Sequence, residues 1–214
     1  MNKWTQKDFD FFVEISEKLI NKVPFAFSRW GDGEWATVSL NQTDKQNCDG
    51  NKYYLELGQK LRSIVSTKQD YYMGHQNVNG YTLKDEFPQE WVNSDILHEL
   101  NQMNSMHYVF EIFENLDVVL VGNESLGKLP FVNDHIEIPY SNVWLQYGEV
   151  LNKIKSKIEN NKRKTFLFAA GMCSEVFIHE LWLHNKNNTY MDIGSAFDPY
   201  VGRKTRRYHH QLII

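Results

Sequence analysis

The chain has 214 residues and a formal net charge of −4, with 42% hydrophobic, 14% aromatic and 23% charged residues. This length and composition fit one large folded domain, residues 1–214, with its own core. The acidic balance argues against a surface built to grip long duplex nucleic acid, while leaving room for a nucleotide-sized ligand.

Thr5 is placed to cap a first helix, with Asp8 in its first turn and Phe9, Phe12, Ile15, Leu19 and Ile20 recurring at helical spacing. Pro24 ends it, and Phe25–Trp30 is the first predicted strand. Residues 41–52 are a polar Asn/Asp/Gly loop, and Tyr54, Leu57, Leu61, Ile64 and Val65 mark a second helix. A short strand at Tyr71–Gly74 leads into residues 75–93, an irregular stretch of the length expected for a functional loop or lid. Ser94 is the expected cap of a helix over Asp95–Met106.

In the second half, Leu116–Val121, His135–Ile138, Thr165–Ala170 and Thr189–Ile193 read as strands. Between them, Ser141 opens a helix through Tyr147, Val150, Leu151, Ile154 and Ile158, and Ser174 opens another through Val176, Phe177, Leu181 and Trp182. Strands alternating with helices at these spacings predict an α/β, Rossmann-like, mostly parallel sheet with helices on both faces. No internal repeat or linker divides it. Cys48 and Cys173 form neither a metal spacing nor a disulfide framework, and the chain shows no signal peptide or bilayer-length apolar run, so a cytoplasmic protein of a bacterium or virus-infected cell is expected.

Ligands of open parallel sheets bind beyond the carboxyl ends of the strands. The polar strand ends are Arg29-Trp30-Gly31-Asp32-Gly33-Glu34, Gly122-Asn123-Glu124, Gly171-Met172-Cys173-Ser174 and Asp192-Ile193-Gly194-Ser195 with Asp198 beyond. Asp32 and Glu34, two apart on an extended backbone, would point to one side and hold Mn²⁺ or Mg²⁺ against a diphosphate, with Arg29 beside them and Gly31 and Gly33 leaving room for the ligand. The competing reading of the same residues is a tight turn. Gly171 and Ser174 open a helix suited to a phosphate, though without the full dinucleotide or P-loop signature. Asp192, Ser195 and Asp198 are read either as caps or as ligand-binding groups. The tail Gly202–His210, with Arg203 and Arg206, is either a solvated basic end or a phosphate-gripping flap. Trp30 and Trp35 are read chiefly as core, and His179 and His184 as packing or solvent-facing groups.

The string Phe27-Ser28-Arg29-Trp30-Gly31-Asp32-Gly33-Glu34 resembles the opening motif of the GT-D glycosyltransferases, a family first catalogued as a domain of unknown function. Phe168-Ala169-Ala170-Gly171 and Asp192-Ile193-Gly194 follow in the order that family shows, and the resemblance runs over residues 8–200. It implies a Rossmann-like nucleotide-binding fold and metal-dependent transfer of a sugar from a nucleoside diphosphate donor, uridine diphosphate (UDP) foremost. Asp32 and Glu34 would serve the metal and the diphosphate. Asp198, with Glu124 behind it, is the candidate general base for the acceptor hydroxyl of a glycan, a protein or a modified DNA base. The basic tail favours a phosphate-bearing acceptor and the acidic total opposes one. Two other readings compete: a metal-assisted phosphoesterase or nucleotidyltransferase, and a non-catalytic nucleotide-sugar or glycan-binding module.

Overall fold

The computed structural model describes residues 4–39, 45–47, 49–76 and 83–212; residues 41–44 and Cys48 of the loop read at 41–52, and residues 77–82 of the irregular stretch, lie outside them. The first helix, α1 (Gln6–Ile20), opens on a capping box: Asp8 donates its backbone N–H to Thr5 Oγ1 and its carboxylate accepts the Thr5 N–H at 2.8 Å. Its buried stripe is Phe11, Ile15 and Leu19. Phe9 and Ile20, expected on that stripe, are exposed.

The strands β1 (Ala26–Trp30), β2 (Tyr72–His75), β3 (Trp91–Asn93), β4 (Val118–Gly122), β5 (Asp134–Glu137), β6 (Thr165–Phe168) and β7 (Thr189–Asp192) form a seven-stranded sheet in the order β3-β2-β1-β7-β6-β4-β5. Every pairing in it is parallel. The predicted architecture is the observed one. Strand side chains alternate between two cores. Ala26, Trp30, Val119, Val121, Phe166, Phe168 and Tyr190 meet α2 (Asp32–Val38), α3 (Leu55–Ser66), α6 (Tyr147–Ser156) and α7 (Ser174–His184). Phe27, Val118, Leu120, Leu167 and Met191 meet α1, α4 (Ile96–Gln102) and α5 (His107–Glu114) on the other face. Central strands buried on both faces explain why their sequences are continuous apolar runs rather than alternating ones. Trp30 and Trp35 are core residues, fully buried with ring centroids 5.3 Å apart. His179 bonds to the Tyr71 hydroxyl and His184 faces solvent. Among the described residues no helix is long and apolar enough to cross a membrane.

The differences from the sequence reading are local. The helix expected over Asp95–Met106 is broken: Asn104 adopts a left-handed conformation (φ 55°), separating α4 from α5. Ser94 supplies no side-chain cap to it. The irregular stretch contains a 3₁₀ turn at Leu83–Glu86 and the edge strand β3. Ser141 gives way to left-handed Asn142 (φ 58°) and a 3₁₀ turn, so α6 starts at Tyr147. The fifth strand is Asp134–Glu137 rather than His135–Ile138. The sixth ends at Phe168, with Ala169 and Ala170 outside it.

One glycine fixes the spacing of β2 against the turn that follows β3. A Cβ on Gly74 would meet Phe27 Cε2 at 2.9 Å and the Ser94 Cα at 3.0 Å. Gly74→Ala is therefore expected to lower stability by about 1–3 kcal/mol through overpacking. Chemical denaturation measures this, and a variant as stable as the parent would show that the Ser94 turn yields freely.

Candidate active site

The cleft lies beyond the carboxyl ends of β1 and β7, where the chain leaves β1 toward β2 and arrives at β7 from β6 on the opposite side. Such a switch point opens a crevice, and here its volume is about 370 Å³.

Arg29 is the penultimate residue of β1 and shares the face of Phe27, toward α4. Its Nε donates to the Ser94 carbonyl (2.7 Å) and its Nη2 to Asp95 (3.4 Å), while Nη1 lies 3.8 Å from Asp192. Asp192, at the end of β7, is buried and accepts the Gly194 N–H at 2.8 Å. Gly194 has φ +50°, and a Cβ there would sit 2.1 Å from Arg29 Nη1. Only glycine lets the guanidinium cross the strand end at this point.

Behind Asp192 stand two residues of α7. Ser174 is fully buried; its Oγ accepts the Ala170 N–H at 3.2 Å and its hydroxyl serves the Asp192 carboxylate. It faces inward, away from the phosphate role expected of it. Glu175 is also fully buried, and neither carboxylate oxygen has a hydrogen bond of ordinary length. Burial, then the negative charges of Glu34 and Asp192, push its carboxyl well above the usual range, so it is held protonated. Burial raises Asp192 as well, against the pull of Arg29.

Asp32 and Glu34 do not lie on an extended backbone. They are the first and third residues of α2, and Gly31 is its N-cap. Glu34 turns back to accept the Gly31 N–H at 2.8 Å, so it closes the helix end in the manner of a capping box. Asp32 is exposed and accepts the Gly33 N–H at 3.0 Å. Both line the cleft even so. Burial, with Asp192 and Asp32 nearby, pushes Glu34 up to about 7.

Gly31, Gly33, Gly171 and Ser195 also line the cleft. Gly171 (φ +55°) begins the 3₁₀ turn that runs into α7. The roof comes from two distant segments: Arg206 forms a two-pronged ion pair with Asp49 at 2.7 and 2.8 Å. Asp49 is itself held in an Asx turn by Asn47, whose Oδ1 accepts the Asp49 and Asn51 N–H groups at 3.0 Å.

The remaining sequence candidates sit off the cleft. Asp198 lines a smaller adjoining recess with Tyr140; its carboxylate accepts the Thr205 hydroxyl and its carbonyl accepts the Arg203 N–H, which uses it as an anchor for the C-terminal segment. Arg203 stacks over Tyr140, 4.4 Å from the ring centre. Glu124 is exposed at the start of a 3₁₀ turn and does not line the cleft. The basic tail is anchored on the protein through Arg203, Arg206, Tyr208 and His209, while Lys204, Arg207 and His210 are exposed.

Sequence reasoning missed Asp49, Gln76, His98 and Glu175. Glu175 had one visible signal, an acid inside an otherwise apolar helical run. His98 sits on α4 with Nδ1 bonded to the Tyr208 hydroxyl. Burial and the charges of Arg29, Arg206 and His209 hold it well below its ordinary range, so it is neutral.

No protein-family model matches the sequence, and no curated protein matches it. Solved structures do. One, of the highly conserved domain of unknown function 1792, described as having a distinct glycosyltransferase fold, aligns with TM-score 0.64 at 16% identity over 88% of this chain and 80% of that one. Another, described as a new glycosyltransferase (DUF1792) from Streptococcus sanguinis, aligns with TM-score 0.66 at 14% identity over 88% of this chain and 81% of that one. This chain has the DUF1792 fold. A selenomethionine-substituted structure of the same domain agrees, with TM-score 0.63 at 16% identity over 92% and 86% of the two chains.

Among the described residues no three His, Cys, Asp or Glu side chains are grouped to hold a metal. The DUF1792-fold cleft offers less than that: exposed Asp32 and the Glu34 oxygen not engaged by Gly31. Two carboxylates are what Mg²⁺ or Mn²⁺ commonly takes from a protein when phosphate oxygens complete its shell. The donor set fits a cation shared with a phosphate ligand.

The sign of the pH effect is fixed by the upward shift. Above about 4.5 the unfolded chain ionises Glu34, while the folded chain keeps its proton until about 7, so this group's contribution to stability falls as pH rises through that window. Glu34→Gln preserves the acceptor for Gly31 and removes the titration. The melting temperature of the variant relative to the parent should therefore rise between pH 5 and pH 8; a difference that stays constant across that range would contradict the shift.

Proposed function

We propose that the cleft binds the donor of a glycosyltransferase, which moves a sugar from a nucleoside diphosphate sugar, UDP-linked in the first instance, to an acceptor hydroxyl. The observation that carries this reading is the meeting of Arg29, Arg206, Asp32 and Glu34 in one cleft at the β1/β7 switch point, on a fold described in its solved examples as a glycosyltransferase fold.

In this reading the anomeric C–O bond breaks toward the diphosphate, whose oxygen takes the electron pair. The protein must meet that charge where it develops. Arg29 is the fixed donor, since Ser94, Asp95 and Asp192 hold its plane. Arg206 is the adjustable one: its fork is occupied by Asp49 and opens to the nucleotide when phosphate oxygens compete for it. Gly171 brings the start of the α7 segment to the same space. Asp32 and Glu34 would hold a divalent ion, which when bound neutralises the diphosphate. Glu175 and Ser174 keep Asp192 in place, and Asp192 in turn orients Arg29.

Calorimetric titration with UDP in the presence of Mn²⁺ tests the donor site. Asp32→Ala should weaken UDP by about 10–100-fold with Mn²⁺ present, the equivalent of roughly 1.5–3 kcal/mol for one charged contact, and change little in its absence. Equal affinity of parent and variant with Mn²⁺ would remove the metal from Asp32. Incubation with UDP-sugars separates the enzymatic readings: free UDP and transferred or free sugar support the transferase, and uridine monophosphate points to phosphoester chemistry.

A further inference from the structure

The donor cleft shares a wall with a second, larger cavity of about 690 Å³. Gln76, His98 and Arg206 belong to both. The cavity opens between α4 and the C-terminal 3₁₀ turn Arg207–Gln211, with Trp4 at its edge. Its size falls within the roughly 300–1,000 Å³ of small-molecule sites.

His98 is the partition. Its Nδ1 is bonded to the Tyr208 hydroxyl, and the Tyr208 ring stands edge-on to it at 5.7 Å. Its Nε2 faces the donor side, where a Cβ on Gly194 would lie 3.7 Å away. The ring is thus held by one nitrogen and presents the other between the two spaces.

The cavity's charges are largely settled inside the protein. Asp95 is paired with Arg29 and Arg206 with Asp49. Glu99 accepts Asn93 Nδ2 at 2.9 Å, and burial raises its carboxyl. What remains toward the space is an indole, the side chain of Met103, the amides of Gln76, Gln102 and Gln211, and the exposed Arg207 at the rim, whose N–H groups can donate to hydroxyls. An aromatic face beside neutral donors and acceptors suits a molecule with apolar C–H faces and a rim of hydroxyls. A nucleic acid would bring phosphates against Asp95 and Glu99, with Arg206 already engaged and Arg207 left to meet them.

We propose that this cavity is the acceptor subsite and takes a neutral sugar residue, with His98 hydrogen-bonding the hydroxyl presented across the partition to the donor. The subsite rests on the donor reading given above, and the test separates the two.

The probes are methyl α- and β-glycosides of glucose, galactose and N-acetylglucosamine, applied to the full chain in saturation-transfer NMR, with UDP titrated in parallel. At least one glycoside should receive saturation and move the His98 ring resonances. Trp4→Ala and Gln102→Leu should each weaken it by about three- to tenfold, the scale of one lost contact, with UDP affinity unchanged. Gln102 is exposed on α4, so its variant stays informative if Trp4→Ala unfolds. UDP binding without glycoside binding, or glycoside binding indifferent to both substitutions, would overturn the subsite and spare the donor reading. Glycoside binding lost in the variants, with no UDP bound, would keep the subsite and overturn the donor reading. Binding of neither probe overturns both. A short DNA duplex bound in place of the glycosides and released by the same substitutions would assign the cavity to nucleic acid instead.

Discussion

Arg29 sets the terms on which the rest of the site is built. A guanidinium does not give up its proton, so enclosing it obliges the chain to supply acceptors. Three arrive from separate places: the Ser94 carbonyl after β3, Asp95 at the entry to α4, and Asp192 at the end of β7. One side chain thereby holds β1, β7 and the α4 turn in register at the switch point. Two glycines make the arrangement possible by what they lack. Gly74 lets Ser94 come close, and Gly194 leaves the gap through which Nη1 reaches Asp192. The cleft's shape follows from this single contact set, because its floor is Asp192 and its near wall is Arg29.

The second consequence is electrical. Glu34, Asp192 and Glu175 sit in one water-poor cluster, and burial raises all three, with nearby negative charge adding to it at Glu34 and Glu175. Neighbouring carboxylates cannot all ionise under those conditions. If the only need were a firm end to β7, apolar side chains of similar volume would serve as well or better. An excess of buried acid at a sheet's ligand-binding edge is the pattern expected of a functional site. Glu175 is the clearest instance. It makes no ordinary hydrogen bond, yet sits where its proton steadies Asp192.

Much of the scaffold was legible from the sequence because two-sided burial leaves unbroken apolar strands, as in Val118–Val121 and Thr165–Phe168, and because Thr5 and Asp8 announce a helix start. The helix over Asp32–Val38 was not. Gly-Asp-Gly-Glu has the composition of a turn, and Gly33 is a poor helix former. What makes it helical is tertiary: Trp35 and Val38 are buried, and Glu34 supplies the missing cap from within. The break between α4 and α5 depends on left-handed Asn104, which no periodicity reveals. The site was half legible. Strand ends pointed to Arg29, Asp32, Glu34 and Asp192, but Asp49–Arg206 joins residues 157 positions apart, and His98 looked like any helical histidine. Ser174 was placed correctly at a helix start and given the wrong orientation, since its hydroxyl is consumed by Ala170 and Asp192.

The fold of the tail decides how the cleft handles charge. Arg206 spans the roof in a pair with Asp49, so the two residues that look most available to an anion and a cation cancel each other at rest. Beneath them, Arg29 is matched by Asp95 and Asp192. Among the described residues, a diphosphate entering this space meets no lining cation that is not already opposed by a carboxylate, and it also meets Asp32. Its charge could be accommodated in two ways: by protons, which burial favours on Glu34 and Glu175, or by a divalent ion that would use Asp32 and the phosphate oxygens together. The proton route is bounded by Glu34, which gives up its proton near neutrality. The proposed cation route would become stronger as Glu34 ionises, because that adds a ligand charge. The same cluster that destabilises the folded chain at higher pH is the one that would favour a shared cation there, and this links the site's burial to the sugar-nucleotide chemistry proposed for it.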